Sequence, residues 1–309
     1  MEGVYGHRPL KDAVRVVRAV VTNQIARLLP AAYVRMTGET GRGRESATPA
    51  ETAQYFLMCV HEYMDVLNAS RAEISTFWRD KRIVEYGPGD IPGVALLLTG
   101  LGARSVLCVD RFQLVRFDDY QQRVVAELAG LLPDEQSRER MGGCFRNSRD
   151  FGSGIADRAL SYCVTPSGLV GQSQIADIVI SRAVLEHVDD LPATFRDMAA
   201  VLVPGGMAIH KVDLKSHGLH RRNRLDFLTW PERLWRLMFS GKGAPNRLRL
   251  DRYRDEASRA GLRIDLLKPC EVATAEEVAE VRPFLAVCFR SLSDEDLACL
   301  SFWMVCRHA

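Results

Sequence analysis

The segment between residues 82 and 110 constrains the fold more than any other part of this 309-residue chain. It opens with a buried-strand pattern at residues 83–86. The sequence G-P-G-D-I-P-G follows, which neither a helix interior nor a strand interior would keep. The apolar run at residues 94–98 predicts a helix packed on a sheet, and residues 105–109 predict a second strand that leads into Asp110. The segment therefore predicts a parallel α/β unit, and such sheets bind ligands at the carboxyl ends of their strands.

The glycine spacing indicates the kind of ligand. A dinucleotide fingerprint, G-x-G-x-x-G, needs its third glycine where the helix packs closely on the strand around a pyrophosphate. Here Gly87 and Gly89 are followed by Pro92 in that third place, and the carboxylate of Asp90 would repel a pyrophosphate but tolerate a cation. Asp110 lies about 20 residues after the turn, the distance at which a carboxylate binds ribose hydroxyls. The pattern favours a cationic nucleoside such as S-adenosylmethionine over a nicotinamide dinucleotide, so an oxidoreductase is disfavoured.

Several motifs together resemble the class I S-adenosylmethionine-dependent methyltransferases. The motifs are E-Y-G-P-G-D at 85–90, V-D at 109–110, A-D-I-V-I-S-R-A-V-L-E-H-V at 176–188 and L-V-P-G-G at 202–206. The resemblance covers roughly residues 80–213. It implies a Rossmann-like α/β fold with a seven-stranded sheet of order 3-2-1-4-5-7-6, whose last strand inserts antiparallel. It also implies an S-adenosylmethionine-dependent methyltransferase with S-adenosyl-L-methionine as its cofactor.

The cofactor candidates are residues at the predicted strand ends. Glu85 is expected to anchor the amino-acid portion of the cofactor, with a strand-end ion pair as the alternative, and Asp110 to bind the ribose, with a helix cap as the alternative. The residues after Asp110 and a loop near residue 165 would lie beside the adenine, and the resemblance places the end of strand four near the methionine portion. The full set is Glu85, Gly87, Gly89, Asp110, Arg111, Phe112, Thr165, Pro166, Ser167, Ser181, Arg182 and Ala183.

The acceptor side is less clearly marked, because methyl transfer depends mainly on alignment and needs a base only for a poorly ionised acceptor. The resemblance puts His187 near the cofactor on the substrate side. Residues 207–214 predict the fifth strand, with Asp213 near its end and His217 after it, whereas His210 and Asp213 point to opposite faces of this strand. Three uses stay open for this cluster: His217 as a base oriented by Asp213, a divalent metal site that includes His187, and polar packing of the cap. No metal ligand is assigned.

Two additions accompany the predicted core. Residues 1–79 are predicted to form a helical lid or extension, and residues 80–309 the methyltransferase core. Residues 11–36 have the pattern of a basic amphipathic helix broken by Pro30, packed on the core as a lid rather than lying on a membrane surface. A flexible loop is expected at residues 38–46. The aromatics of the next helices are expected in the core rather than in a substrate cage; they are Tyr55, Phe56, Tyr63, Phe77 and Trp78.

A cap is predicted at residues 214–248, because this stretch after strand five fits no core element. It combines six basic residues with three aromatics, which could bind an anionic small-molecule acceptor. A nucleic-acid face and an ordinary solvated surface are the alternatives. Glycines at 218, 241 and 243 would let it move. The basic residues are Arg221, Arg222, Arg224, Lys242, Arg247 and Arg249, and the aromatics are Trp230, Trp235 and Phe239.

Composition narrows the class of protein. The net charge of +2 gives no sign of a nucleic-acid binder, and the eight scattered cysteines indicate reduced thiols in a cytoplasmic protein. No signal peptide and no membrane span is expected. We therefore expect a small-molecule methyltransferase that acts on a hydroxyl of a sugar or natural product. The alternatives are an N- or C-methyltransferase and a catalytically silent cofactor-binding protein of the same fold. A homodimer stays open.

Overall fold

The computed structural model describes residues 9–29, 47–165, 167–241 and 244–308. Several predictions fall outside this part of the chain. They concern Pro30, the loop at 38–46, the cofactor candidate Pro166, and Lys242 and Gly243 of the cap. No helix of the described residues is long and apolar enough to cross a bilayer.

A seven-stranded sheet forms the centre of the molecule. Its strands are β1 (Arg82–Tyr86), β2 (Ser105–Asp110), β5 (Leu160–Val164), β6 (Ala176–Arg182), β7 (Leu202–Asp213), β8 (Leu262–Val272) and β9 (Cys299–His308), while β3 (Phe145–Asn147) and β4 (Asp150–Ile155) form a separate two-stranded ribbon. The sheet order is β5-β2-β1-β6-β7-β9-β8, with β9 antiparallel to both of its neighbours and all pairs from β5 to β7 parallel. The predicted order 3-2-1-4-5-7-6 is confirmed.

Helices cover both faces of the sheet. They are α1 (Pro9–Leu28), α2 (Pro49–Val66), α3 (Ile74–Trp78), α4 (Gly93–Gly100), α5 (Asp119–Leu131), α6 (Glu135–Gly142), α7 (Leu191–Val201), α8 (Glu232–Phe239), α9 (Leu250–Arg259), α10 (Ala275–Val281) and α11 (Asp294–Ala298). Every residue of α4 is buried, because this helix packs between β1, β2 and α2. Helices α7 and α9 contribute to the core on the opposite face. Helix α2 begins as expected, with Thr48 and Glu51 in a capping box.

Two local predictions need correction. The polar, glycine-rich sequence of residues 133–158 predicts an insertion before the third strand. The structure instead forms α6 and the β3–β4 ribbon there, and Met141 and Phe145 are buried in the core. Their apolar residues are too widely spaced to give a clear periodic signal. The expected turn at residues 204–206 lies within β7, where the pairing with β6 shifts between Leu202 and Met207. The strand bulges there and then resumes.

Helix α1 packs on the molecule through a face that its hydrophobic pattern did not indicate. Five apolar residues recur at helical spacing and predict the buried face of α1: Val14, Val17, Val21, Ile25 and Leu28. In the structure Ile25 is half-buried and the other four are exposed. The contact with α8 instead uses Ala19 and Asn23, whose amide donates to the carbonyl of Leu237 at 3.0 Å. Small and hydrogen-bonding residues let this helix approach its neighbour closely.

Most buried apolar residues of the predicted cap at 214–248 pack in a third hydrophobic cluster, apart from the two clusters on the faces of the sheet. Trp230 and Trp235 are 1% and 4% exposed and pack with α1 and with the segment around α10, and Phe239 packs against them. Of the aromatics expected in the core near α2, Phe56, Tyr63 and Trp78 are buried, Phe77 is partly buried and Tyr55 is 40% exposed. The eight cysteines are all unpaired, and five of them are buried.

Candidate active site

The glycine turn after β1 closes tightly on the segment after β6. Gly87 and Gly89 have φ of +65° and +76°, the left-handed region that glycine adopts without strain. The amide of Gly87 donates to the carbonyl of Val109 at 2.8 Å, which ties the turn to β2. A Cβ added at Gly87 would lie 2.4 Å from Cγ2 of Val184. The turn therefore needs glycine both for its conformation and for this approach.

Glu85 is a buried carboxylate whose described contacts include no cation. The thiol of Cys108 donates to it at 3.8 Å, and the backbone amide of Ala95 also reaches it. Burial raises the pKa of Glu85 to about 8, and the negative charge of Asp110 adds to the increase. The alternative of a strand-end ion pair is not what the structure shows. A buried carboxylate that lacks a cationic partner fits the ammonium group of a cationic ligand.

Asp110 lies half-buried at the end of β2, beside the glycine turn. Its carboxylate accepts a hydrogen bond from the amide of Phe112 at 3.1 Å and also interacts with the amides of Arg111 and Gly89. Burial raises its pKa nevertheless. Asp110 does not cap the next helix, which was the alternative role, because Asp118 caps α5. Asp110 is thus held by backbone amides at the point where a ribose is expected.

The adenine-side candidates gather around Asp110. The amide of Thr165 donates to the carbonyl of Asp110 at 2.8 Å, and the hydroxyls of Thr165 and Ser167 lie 3.1 Å apart. Arg111 lies 5.6 Å from the ring centre of Phe112 and forms an ion pair of 2.7 Å with Asp189. This ion pair links the segment after β2 to the segment after β6.

The three cofactor candidates at the end of β6 do not share one site. Ser181 faces the far side of the sheet, where its hydroxyl lies 2.7 Å from Nδ1 of His210 in the core. Arg182 points to the other face and pairs with Glu62 at 2.5 Å. Ala183 has a φ of 53° and donates its amide to the carbonyl of Lys211 at 2.9 Å. These side chains are not brought together.

A charged cluster that sequence reasoning missed lies where α2 meets the ends of β6 and β7. Glu62 binds both Arg182 and Lys211, the second at 3.0 Å. Tyr55 and Trp303 lie 5.7 and 5.9 Å from the guanidinium of Arg182, so the cations also contact aromatic rings. No sequence motif marks Glu62, and only the packing of α2 against the strands brings it to Arg182 and Lys211.

On the acceptor side, Glu186, His187 and His217 converge. One nitrogen or oxygen from each lies within 4.8 Å of the others. The two imidazole rings are 5.0 Å apart at an interplanar angle of 56°, and Nε2 of His187 lies 3.9 Å from Oε1 of Glu186. Asp213 does not act as the partner of His217, because it pairs with Lys215 at 3.3 Å. The sequence drew attention to both histidines but missed Glu186.

Burial sets the properties of Glu186. Its side chain is 1% exposed, and burial raises its pKa to about 8, assisted by the charge of Asp213 and opposed by the backbone amides of Asp213 and Glu186 itself. The short turn Leu185–His187 is fixed from the end of the cap, where the amide of Asn246 donates to the carbonyl of Glu186 at 2.6 Å and its side chain to that of Leu185 at 2.9 Å. Asn246 is a positioning residue that sequence reasoning missed.

The other histidines near β7 do not join this cluster. His210 is fully buried, and burial lowers its pKa to about 3. His220 bonds through Nδ1 to the hydroxyl of Ser216 at 2.5 Å, which packs the start of the cap.

The basic residues of the cap are largely engaged inside the protein. Arg221 pairs with Asp12, Arg224 with Glu271 and Glu277, and Arg247 with Glu232, while Arg249 donates to the carbonyls of Leu214, Leu297 and Cys299. Arg222 is exposed. Four of the six charges therefore stabilise the fold and lend no support to the prediction of an anionic acceptor.

The cofactor side and the acceptor side border the same edge of the sheet. Val184, which Gly87 approaches, is two residues before Glu186, and Asp189, which pairs with Arg111, is two residues after His187. The turn that carries Glu186 and His187 is thus held from both sides by elements of the cofactor side. The arrangement brings a carboxylate and two imidazoles, groups that can accept protons or bind a metal ion, to the edge where the nucleoside is predicted.

Comparisons with known proteins identify the family of the domain. The family model of a methyltransferase domain matches residues 60–267, which include the ends of β1, β2, β6 and β7. A search of the curated proteins found no match. Similar solved structures include an S-adenosylmethionine-dependent methyltransferase from Mesorhizobium loti (17% identity, 74% of this chain and 91% of that chain, TM-score 0.41). Another is a proposed sarcosine dimethylglycine methyltransferase from Galdieria sulphuraria (14% identity, 82% and 86%, TM-score 0.45).

Proposed function

The chain belongs to the class I S-adenosylmethionine-dependent methyltransferases, and on that premise we propose that it methylates a hydroxyl group of a small molecule, a sugar or a natural product. The cofactor supplies a methyl group on a sulfonium that is already a good leaving group. The protein therefore has to bind and align the reactants, exclude water, and handle the proton of the acceptor.

Cofactor binding is assigned to the ends of β1 and β2. Glu85 would hold the ammonium group, and Asp110 the ribose hydroxyls, with Gly87 and Gly89 allowing the close approach of the ligand to the backbone. Two observations support this assignment. Glu85 is a buried carboxylate that contacts no cationic side chain among the described residues. Asp110 is held by backbone amides at the same edge of the sheet.

The convergence of Glu186, His187 and His217 beside the glycine turn carries the proposal of a hydroxyl acceptor. A hydroxyl must lose its proton as the new carbon–oxygen bond forms, whereas a neutral amine attacks through a lone pair that it already has. A site rich in proton-accepting groups is therefore more useful for a hydroxyl than for an amine. His217 is exposed and extends from the cap, so an acceptor could reach its imidazole.

A labelled-methyl assay tests the proposal. The protein is incubated with methyl-labelled S-adenosylmethionine and a panel of sugars, phenols, amines and carbon nucleophiles. Label is expected on a hydroxyl oxygen. With the acceptor so identified, His217→Ala should lower turnover by about 100-fold, the usual range for a lost proton-handling group. Its affinity for S-adenosylhomocysteine should change little, because His217 lies in the cap, whereas the proposed cofactor residues lie at the ends of β1 and β2.

His220→Ala provides the matched control, since His220 is a neighbour in sequence whose contact is with Ser216. It should retain turnover. Label found only on nitrogen or carbon would overturn the proposed acceptor class. Full activity of His217→Ala would remove the histidine cluster from the reaction.

A further inference from the structure

We infer that Glu186, His187 and His217 form a binding site for a divalent first-row transition-metal ion. The inference rests on the proposed function only for what the ion would do to the acceptor. Binding of the ion is a separate property that is measured without any acceptor.

The distances within the cluster suit a single ion. The three potential ligand atoms lie within 4.8 Å of one another. Around one ion at the usual ligand distances of ~2.0–2.2 Å, two ligand atoms are at most about 4.4 Å apart. Small rotations of the exposed imidazole of His217 and the half-buried imidazole of His187 would bring the ligand atoms close enough to share one ion.

Glu186 gives an independent sign that a cation belongs here. Its side chain is 1% exposed, and although the amides of Glu186 and Asp213 lie near its carboxylate, neither oxygen accepts a hydrogen bond of normal geometry from the described residues. A buried carboxylate without such hydrogen bonds is costly, and a bound cation is one of the few ways to compensate it. Lys215, a cation whose charge acts on Glu186, is already bound by Asp213 and Glu271.

The donor set selects the class of ion. Two imidazole nitrogens and one carboxylate oxygen suit Mn²⁺, Fe²⁺, Co²⁺ and Zn²⁺, whereas Mg²⁺ and Ca²⁺ prefer oxygen ligands alone. Three protein ligands leave coordination positions for water or a substrate, which is the arrangement of catalytic rather than structural metal sites.

The fold holds the ligands in place before any ion binds. Asn246 bonds to the backbone of the turn that bears Glu186 and His187. His217 has a φ of 47°, a conformation that costs free energy for a residue with a side chain. In this conformation the imidazole of His217 lies 5.0 Å from that of His187.

An ion in this position would act on the acceptor as a Lewis acid. It would lower the pKa of a coordinated hydroxyl. The O–H bond then breaks and the proton passes to water. The oxygen keeps the electron pair and bonds to the methyl carbon, while the bond from that carbon to the sulfonium sulfur breaks and S-adenosylhomocysteine leaves with its electron pair. His217 would serve this reaction as a metal ligand, and the loss of turnover expected for His217→Ala would follow from loss of the ion.

Direct binding of Mn²⁺ and Co²⁺ tests the inference. Mn²⁺ binding is followed by loss of the paramagnetic resonance signal of the free ion, and Co²⁺ binding by its visible absorption, both in the presence of S-adenosylhomocysteine. The full chain should bind one ion saturably. Glu186→Gln and His217→Ala should each weaken binding by at least about tenfold, since even residues that only orient metal ligands contribute 10–100-fold.

Two variants act as controls for nearby charge and imidazole. Asp190→Asn removes the charge of an exposed carboxylate close in sequence that caps α7, a role that Asn fills equally well, and His220→Gln removes a histidine of the same loop. Neither should change Mn²⁺ affinity. Because His217 is exposed, its variant keeps the fold even if Glu186→Gln does not, and circular dichroism checks both.

The outcomes separate this inference from the proposed function. Saturable binding that both cluster variants weaken supports the metal site, whether or not a hydroxyl acceptor is found. Absence of saturable binding, or binding that neither cluster variant changes, overturns the site. Hydroxyl methylation by a protein that binds no ion would leave the proposed function standing and reject the metal.

Discussion

Replacing Glu85 by Gln should make the protein less sensitive to alkaline pH. In the folded protein burial raises the pKa of Glu85 from 4.5 to about 8. Between these two values the folded state binds more protons than the unfolded state, so the free energy of unfolding falls as the pH rises. The stabilisation is fully present below pH 4.5 and is lost as the pH passes through about 8.

The size of the effect follows from the same shift. Each pH unit in this window costs about 1.4 kcal/mol for one group. From pH 6 to pH 9 the wild-type protein should therefore lose about 2–3 kcal/mol through Glu85 alone, because the loss levels off above its folded pKa. Glu85→Gln should lack this part of the loss.

Urea unfolding of the ligand-free protein at pH 6 and pH 9 measures the difference. The stability of Glu85→Gln relative to wild type should increase by about 2–3 kcal/mol between the two pH values. Glu127→Gln, which removes an exposed carboxylate from α5, controls for the general effect of a lost charge. A pH dependence that is the same in Glu85→Gln and wild type would refute the reasoning that this carboxylate is buried without a cation.

Three further substitutions test other parts of the structure. Gly87→Val should abolish binding of S-adenosylhomocysteine in calorimetry while the far-ultraviolet circular dichroism is retained, since its Cβ would meet Val184; normal binding would remove the turn from the site. Arg249→Met should lower the free energy of unfolding by about 3 kcal/mol or more, because three buried carbonyls lose their donor. Trp235→Ala should cost about 3–5 kcal/mol in urea unfolding and leave cofactor affinity unchanged; a change below 1 kcal/mol would contradict its place in the core.

The sheet could be predicted because its signals are local. β1 and β2 are short apolar runs with a glycine turn after the first and a carboxylate at the end of the second, and parallel strands bring such ends to one edge. The position of Asp110 beside Gly89 therefore follows from the order of elements alone. The register shift in β7 has no such signal, since Gly205 and Gly206 read as an ordinary turn.

The cap and the acceptor side could not be predicted, because their residues find partners far along the chain. Arg221 pairs with Asp12 across 209 positions, and Asn246 bonds to the turn at Leu185 across 61. In the sequence Arg221 looks like a solvent-exposed or anion-binding charge. Glu186 looks like an ordinary turn residue, and only the folded chain shows that its carboxylate is buried beside two imidazoles.

The face of α1 illustrates a different limit. Periodicity shows that Val14, Val17 and Val21 share one side of the helix. Periodicity does not show whether the helix packs through that side or through a face of small and polar residues. Asn23, buried against α8 through its hydrogen bonds to Leu237 and Ser240, belongs to the face that makes the contact.

Calorimetric titration with S-adenosylhomocysteine of wild type, Asp110→Asn and Asp119→Asn tests the central claim most directly. The claim is that the edge formed by β1 and β2 holds the nucleoside through Asp110. Wild type should bind, and Asp110→Asn should bind roughly 10- to 100-fold more weakly, because hydrogen bonds to a charged acceptor contribute about 1.5–3 kcal/mol. Asp119→Asn, an exposed carboxylate of α5, should bind like wild type. Equal affinity of Asp110→Asn and wild type, or no binding by wild type, would contradict the account.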